Sequence, residues 1–292
     1  MPEGEIAEEK EQGLIRPEKE PGSGRVPDTY NRNGILASLE TKWVGREVHF
    51  AQEIDSTNLW VMRLAREGAP QGTLCAAQFQ SAGRGSRGRT WEADKGDNVM
   101  MSLLLRPVFA PSIAPMTTLV MGLACARAMR QLGLDAGIKW PNDVVVSRKK
   151  ICGILTEMEL DGDRIGHVVV GIGINVNTVS FPPELADKAT SLRLESGKIY
   201  DRTKVLSRVL ACFEEDYEKF ERDGNLSALR AAYEEILVNR NEQVKVLDPV
   251  SPYEGLAEGI DEGGRLLVRT PDGELHKIGA GEVSVRGLYT YV

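Results

Sequence analysis

The stretch from Ile151 to Ile174 constrains what this chain can fold into more than any other segment. Two apolar runs, Ile151 to Glu159 and Arg164 to Ile174, flank Asp161-Gly162. An Asp-Gly pair readily takes the positive φ of a tight turn, so the runs predict a long antiparallel hairpin. Val144 to Val146 predicts a third strand just before it, and Thr73 to Phe79 and Val99 to Leu105 carry two more. Helical signals lie between the strands. Asp55-Ser56-Thr57-Asn58 supplies capping side chains ahead of Leu59 to Glu67, and Gly68 stops the helix. Thr117 to Leu132 has helical spacing and ends at Gly133, while Thr203 to Arg222 and Leu226 to Val238 flank Gly224.

The two ends differ in texture from this middle. Residues 1–33 are rich in Glu, Lys, Pro and Gly and nearly empty of large apolar side chains. Such a segment cannot offset its ordering entropy by burial, which predicts a disordered charged tail. From Gln243 onward, short strand-like runs alternate with turn formers such as Asp248-Pro249, Glu262-Gly263-Gly264 and Pro271-Asp272-Gly273. That rhythm predicts a small β-barrel of SH3-like size over residues 240–292, after a main domain over 34–239.

Several function classes are disfavoured by composition. A formal net charge of −7 argues against a general nucleic-acid binder, which is usually basic. No apolar run approaches the roughly 20 residues of a membrane span, and no basic-then-apolar leader opens the chain. Cys75, Cys125, Cys152 and Cys212 are scattered without a CxxC pair, so reduced, half-buried thiols in the cytoplasm are expected. His49, His167 and His276 have no spacing that suits a metal or a nucleophile triad.

Against this acidic background the run Gly83-Arg84-Gly85-Ser86-Arg87-Gly88-Arg89-Thr90-Trp91 stands out. Glycines let successive backbone N–H groups converge on an anion, and arginines add forked, permanent charge. The run is one residue from a GxxxxGK[ST] phosphate loop, but Arg89 stands in the lysine position. Turn formers follow it instead of a helix, so the amide-and-dipole cradle is missing. Two further cationic elements lie downstream. Lys139-Trp140-Pro141-Asn142-Asp143 holds a lysine and two polar groups around a stiff proline turn. Lys150 enters an apolar strand, a poor place for an ammonium that meets no anion. Either lysine alone reads as a solvated surface charge. Together with the arginine loop they suggest a carboxylate and a phosphate bound side by side, as in forming an acyl-adenylate. Gly171-Ile172-Gly173 lets a ligand or another backbone approach closely, or marks a β-bulge.

In this order, Asp55-Ser56-Thr57-Asn58, Gln80 with the glycine–arginine loop, Lys139–Asp143, Lys150–Leu155 and Gly171–Asn177 closely resemble the biotin–protein ligases. The resemblance runs from about Ile35 to the C-terminus. It implies an α+β fold, a mixed sheet with helices like that of class II aminoacyl-tRNA synthetases, and the SH3-like C-terminal barrel. It implies a two-step reaction in which biotin and ATP, with Mg²⁺, give biotinyl-5′-adenylate, and the acyl group then passes to a lysine of a biotin carboxyl carrier protein.

The resemblance also implies roles at matching positions. Ser56, Thr57, Asn58 and Gln80 would meet the ureido end of biotin. Gly83, Arg84, Gly85 and Ser86 would fold over biotin, with Arg87 and Arg89 toward the phosphates. Lys150 would meet the biotin carboxylate and the α-phosphate, and Lys139 the reacting phosphate. Arg84 would share in catalysis and Asp143 would help the transfer step. Trp91, Asn142 and Asn175 would surround the adenylate, and Gly153, Leu155, Gly171 and Ile174 would floor the biotin site. No metal site of the protein's own is implied.

Ser86 departs from the family pattern, because many relatives carry an arginine there, which implies a looser grip on the intermediate. Repressor-type relatives carry a winged helix-turn-helix that residues 1–33 are too short and too acidic to form, which implies a ligase without operator binding. A homodimer is implied, and no membrane partner. Lipoate–protein ligases share the catalytic fold, but lipoate has no ureido group for Ser56, Thr57, Asn58 and Gln80. A sensor that binds the adenylate without transferring it is the reading from another class.

Overall fold

A computed structural model of the protein describes residues 29–91, 95–248, 250–280 and 284–287. The chain runs α1 (Arg32–Ser38), β1 (Val48–Ala51), α2 (Thr57–Arg66), β2 (Leu74–Ala77), β3 (Val99–Leu105), α3 (Met116–Gln131), β4 (Gly137–Lys139) and β5 (Asp143–Val146). It continues through β6 (Lys149–Asp161), β7 (Arg164–Ile174), α4 (Leu192–Ser196), α5 (Arg202–Asp223) and α6 (Ser227–Glu235). Five strands close the described chain: β8 (Gln243–Leu247), β9 (Tyr253–Ile260), β10 (Leu266–Arg269), β11 (Leu275–Ile278) and β12 (Ser284–Gly287).

The expected hairpin is β6–β7, paired from Cys152 opposite Ile174 to Asp161 opposite Arg164 with a register shift between Glu159 and Leu160, and with Gly162 at φ +62° in the turn. It sits inside a seven-stranded mixed sheet of order β1-β2-β3-β7-β6-β5-β4, in which only β1 and β2 run parallel. Helices cover both faces. On one, Val61 and Ala65 of α2 pack on Cys75, Leu104 and Val169. On the other, α3 and α5 build the main core with Leu123, Met129, Leu206 and Phe213. Pro111–Gln131 is long and apolar enough to cross a membrane by length and composition, which the sequence reading overlooked. In the fold 78% of its most apolar window is buried, as suits a helix wrapped by other elements.

Order starts earlier than the sequence implied. Tyr30 is 1% exposed, its hydroxyl donates to the Met100 carbonyl at 3.1 Å, and the Arg202 guanidinium lies 4.3 Å over its ring. Asn31 then caps α1 by accepting from the Gly34 amide at 3.0 Å. One buried aromatic side chain with a satisfied hydroxyl therefore ties down residues 29–33, which were assigned to the tail; residues 1–28 lie outside the described chain.

A carboxylate anchors the following turn. The side chain of Glu214 on α5 accepts from the amides of Lys42, Trp43 and Val44 at 2.6, 2.8 and 3.0 Å while only 6% of the residue is exposed. Glu214→Ala strands these donors, so it should lower the unfolding free energy by roughly 3 kcal/mol. Urea unfolding monitored by circular dichroism measures this, and a loss below about 1 kcal/mol would show that water replaces the carboxylate.

The second sheet, of order β11-β10-β9-β8-β12, is antiparallel throughout. Among the described residues β11 pairs only with β10 and β12 only with β8, so the sheet stays open and the expected closed barrel is not formed. Turn spacing counts strands, but closure depends on tilt and stagger, which it does not encode. All four cysteines are free and fully buried rather than half-buried.

Candidate active site

The stripe of α2 that faces the sheet is polar in its first turn and apolar afterwards. Thr57 and Asn58 stand one turn ahead of Val61 and two ahead of Ala65, so the same packing that buries the valine presses two hydrogen-bonding side chains onto the sheet. Asp55 fixes the entry to this helix. It accepts from the Ser56 amide at 2.7 Å and pairs with the fork of Arg63 at 2.9 and 3.0 Å, which holds its carboxyl below the usual carboxylate range.

These groups form one network. The Thr57 amide donates to Gln80 Oε1 at 2.7 Å, and the Thr57 hydroxyl lies 2.9 Å from the same oxygen. The buried Ser102 hydroxyl lies 2.7 Å from Thr57 Oγ1 and 2.5 Å from Asn58 Oδ1. Asn58 Nδ2 donates to Glu157 at 2.9 Å. Sequence reasoning missed Ser102 and Glu157. The signals were present: Ser102 is the one polar residue in Val99–Leu105, and Glu157 shares a strand face with Gly153 and Leu155 by the two-residue period.

The glycine–arginine segment folds back on itself above this network. The Trp91 amide donates to the Gly83 carbonyl at 3.0 Å and the Gly85 amide to the Arg89 carbonyl at 2.7 Å, with Arg87 in the left-handed region at φ 60°. Ser86 is built into the loop, since Arg89 donates to its carbonyl and hydroxyl at 3.2 and 3.1 Å. The Trp91 indole lies flat on the hairpin. A Cβ on Gly173 would stand 2.4 Å from its ring, so this contact requires glycine there, while one on the facing Gly153 would stand 2.9 Å from the ring edge.

A register shift between β5 and β6 places Lys150. Cys152 faces Val144 but Lys150 faces Val145, so one residue of β6 is extra, and Ile151 and Cys152 are both buried. The bulge turns Lys150 from the core onto the face of Gly153, a known use of such insertions. There its ammonium meets Asp143 at 2.6 Å and lies 5.5 Å from the Trp91 ring. Lys139 is 6% exposed, and burial, ahead of the pull of Asp143 and the push of Arg286, Lys150 and Arg89, lowers its pKa to about 8.

Two cavities meet here. The smaller, about 40 Å³, is lined by the polar set Ser56, Thr57, Asn58 and Gln80, by Arg84 and Lys150, and by the glycine floor. The larger, about 430 Å³, is lined by Arg87, Arg89, Lys139, Asp143 and Glu157, with Arg286 added from the second sheet. Ser86, Asn142, Ile154 and Leu155 line both, so the Lys150–Asp143 pair stands at their junction.

Residues 50–175 match the biotin/lipoate A/B protein ligase family, and residues 241–286 the biotin protein ligase C-terminal domain. The chain is 36% identical to the bifunctional ligase/repressor BirA of Bacillus spizizenii over 252 residues, 85% of this chain and 77% of that one. This chain is a biotin protein ligase. It is 32% identical over 230 residues to the biotin–[acetyl-CoA-carboxylase] ligase of Paracoccus denitrificans, covering 75% of this chain and 92% of the relative. A solved biotin protein ligase from Aquifex aeolicus, in complex with biotin and ATP, superposes with a TM-score of 0.71 at 33% identity, covering 83% of this chain and 99% of that one.

Most residues implied by the resemblance line one of the two cavities of this ligase, and Gly83, Ile174 and Asn175 line neither. Trp91 lines the smaller cavity, over Gly153 and Gly173. Its indole nitrogen is buried without a hydrogen-bond partner among the described residues. Ile174 is wholly buried in the main core, because the floor uses Gly171 and Gly173 and alternation sends residue 174 to the opposite face. Asn175 lines neither cavity; it is 5% exposed and its amide donates to the Thr190 carbonyl at 3.0 Å. Gly83 stands at the base of the loop, where a Cβ would come within 2.3 Å of the Trp91 carbonyl oxygen. Asn142 is pinned between the cavities by donating to the Ile154 carbonyl at 3.0 Å. Arg286 had no local sequence signal, being brought in by the second sheet.

Proposed function

We propose that the two cavities hold biotin and ATP end to end, that biotinyl-5′-adenylate forms at their junction, and that the acyl group passes to a lysine of a biotin carboxyl carrier protein. The observation that carries this reading is Lys150, set by a bulge between a cavity rich in hydrogen-bonding side chains and a larger one rich in cations. The polar set suits the donors and acceptors of a cyclic urea, and the glycine floor suits a flat fused ring.

The charges suit the chemistry. A biotin carboxylate oxygen attacks the α-phosphorus, the bond to pyrophosphate breaks, and pyrophosphate leaves. Repulsion between the two anions is the obstacle, and Lys150, Lys139, Arg87 and Arg89 stand where charge develops. In the second step the carrier amine attacks the acyl carbon, AMP leaves, and the amine proton goes to a base. Asp143, released from Lys150, is placed to take it. The loop from Gly83 to Trp91 would exclude water that could hydrolyse the mixed anhydride. The 40 Å³ of the smaller cavity cannot take a bicyclic ligand, so biotin entry requires the loop and Trp91 to lift.

Magnesium fits as an ion carried by the phosphates. No cluster of three or more metal-ligating side chains exists among the described residues, and Mg²⁺ in nucleotide sites commonly uses one or two carboxylates. The ion would ride on the nucleotide phosphates and offset their charge, leaving Asp143 to Lys150. The same reading includes a homodimer, supported by β1, which ends the long sheet with one edge unpaired by any other strand; sedimentation tests it. Four free cysteines suit a reducing cytoplasm. The acidic balance of residues 1–33 supports a ligase that does not repress transcription. Specific, salt-sensitive binding to biotin-operator DNA would overturn that part alone.

The direct test mixes the protein with ATP, Mg²⁺ and labelled biotin, with and without an apo carrier domain. Label on the carrier lysine is the expected result. Adenylate without transfer would reduce the protein to a sensor, and lipoate used in place of biotin would overturn the urea assignment.

Lys139 adds a pH dependence with a definite sign. Below about pH 8 it is an ammonium that favours phosphate, and above that it becomes a neutral amine. The value of kcat/KM for ATP, which reports the free enzyme, should therefore fall roughly tenfold between about pH 7 and pH 9. Lys139→Arg keeps its charge and should flatten this limb; an unchanged limb would assign it to another group.

A further inference from the structure

We propose that Glu157 is a positioning residue that latches the arginine loop to the polar end of the biotin pocket. The inference rests on the biotin reading above and adds a residue to which neither the sequence motifs nor the reaction gave a role.

Glu157 stands on β6, the strand next to the centre of the sheet, on the face that carries Gly153 and Leu155 and lies under the loop. Its two oxygens are shared between two partners. Oε1 lies 2.9 Å from one terminal nitrogen of Arg84. Oε2 accepts from the other Arg84 nitrogen at 3.1 Å and from Asn58 Nδ2 at 2.9 Å. One carboxylate oxygen therefore serves the mobile element and the pocket at once.

The pair alone would contribute little. Arg84 is 41% exposed in its side chain and Glu157 20%, a setting where water competes with an ion pair. Its other attachment is what distinguishes it. Asn58 is 4% exposed, and its oxygen is held by Ser102, which also meets the Thr57 hydroxyl, while the Thr57 amide donates to Gln80. Arg84, Glu157, Asn58, Ser102, Thr57 and Gln80 thus form an unbroken hydrogen-bonded chain from the loop to the far end of the pocket. In such a chain each bond polarises the next, so a change at one end is felt at the other.

A cyclic urea that engages Asn58 or Thr57 changes what Glu157 must accept, and with it the hold on Arg84. Loop closure and urea occupancy are then coupled, and coupling of this kind is reciprocal. A closed loop slows ligand loss, and a bound urea steadies the loop. The device would retain the adenylate until a carrier lysine arrives.

The test uses Glu157→Gln, which keeps an acceptor for Asn58 but turns an amide toward Arg84. Two readouts are taken. The first is limited trypsin digestion of the ligand-free protein, scored by mass at Arg84, Arg87 and Arg89. The second is the release rate of biotinyl-adenylate, made in place from biotin and ATP and chased with unlabelled biotin. The latch predicts loop cleavage and adenylate release each faster by about tenfold or more. It also predicts that Glu157→Gln adds nothing to either rate in an Arg84→Ala background, where cleavage is read at Arg87 and Arg89.

Unchanged rates, or effects that multiply across the two backgrounds, would overturn the latch. So would a lowered melting temperature with release and cleavage intact, the mark of a merely structural glutamate. If the parent protein makes no biotinyl-adenylate while Glu157→Gln still exposes the loop, the biotin reading fails and the latch stands.

Discussion

Replacing Lys150 by alanine lowers the rate of biotinyl-adenylate formation by about a hundredfold to a thousandfold and leaves the fold intact. The loss has two parts. The ammonium that would lie between the biotin carboxylate and the α-phosphate is gone. In addition Asp143, only 12% exposed in its side chain, loses the cation 2.6 Å away and faces the incoming carboxylate with less positive charge beside it. The second part is separable. Lys150→Ala combined with Asp143→Asn should form adenylate faster than Lys150→Ala alone, since the exposed negative charge is removed. ATP–pyrophosphate exchange dependent on biotin measures both variants. Exchange at the parental rate in Lys150→Ala would refute the assignment of this lysine.

Gly171→Ala is the smallest change with a comparably large expected effect. A Cβ at this position would stand 2.0 Å from Asn58 Oδ1 and 2.8 Å from its Cγ, closer than real contacts allow. Asn58 has no room to yield, because Ser102 holds its oxygen and Glu157 and the Leu155 carbonyl hold its nitrogen. The first turn of α2 must shift, and a shift near 1 Å in a positioning group commonly costs about a hundredfold. Biotin affinity should weaken by about that factor, while nucleotide affinity, which depends on the larger cavity, changes less than about threefold. Calorimetric titration with each ligand separately checks this. Gly153→Ala is the control. Its Cβ would meet the ends of Lys150 and Trp91 at 2.9 Å, which are flexible and can give way.

How much of this was legible in the sequence depended on how local each signal was. The hairpin followed from Asp161-Gly162, and β7 spans Arg164–Ile174 as expected. β3 likewise spans Val99–Leu105. The start of α2 was legible in Asp55–Asn58, but the expected side-chain cap is not made: Ser56 caps without a side-chain bond, and Thr57 and Asn58 turn to the sheet instead. β1 was not, because Val48–Ala51 is short and half-buried, with no alternation long enough to count. The site shows the same division. Arginines, glycines and lysines announced themselves by type, whereas facing direction had to be inferred. The resemblance implied Ile174 for the floor, but it stands one step along the strand from Gly173, and that step turns it to the core face. Lys150 reaches the site through a bulge that nothing local encodes. Arg286 reaches it from a strand well over a hundred residues downstream in the sequence, and no motif spacing carries that information.

The Lys150–Asp143 pair changes what filling this pocket means electrically. An empty cationic site draws in an anion and gains by neutralising it, and that gain fades as salt rises. Here the cation already has a carboxylate seated 2.6 Å away, so an incoming carboxylate takes a place that another vacates. Uptake is an exchange of anions, and the net charge around Lys150 hardly changes. A plot of biotin affinity against ionic strength should be nearly flat, while the nucleotide, meeting Arg87, Arg89 and Lys139 in the larger cavity, keeps a steep one. The evicted carboxylate is not lost. On the proposed mechanism it would become a base released by the substrate's own arrival.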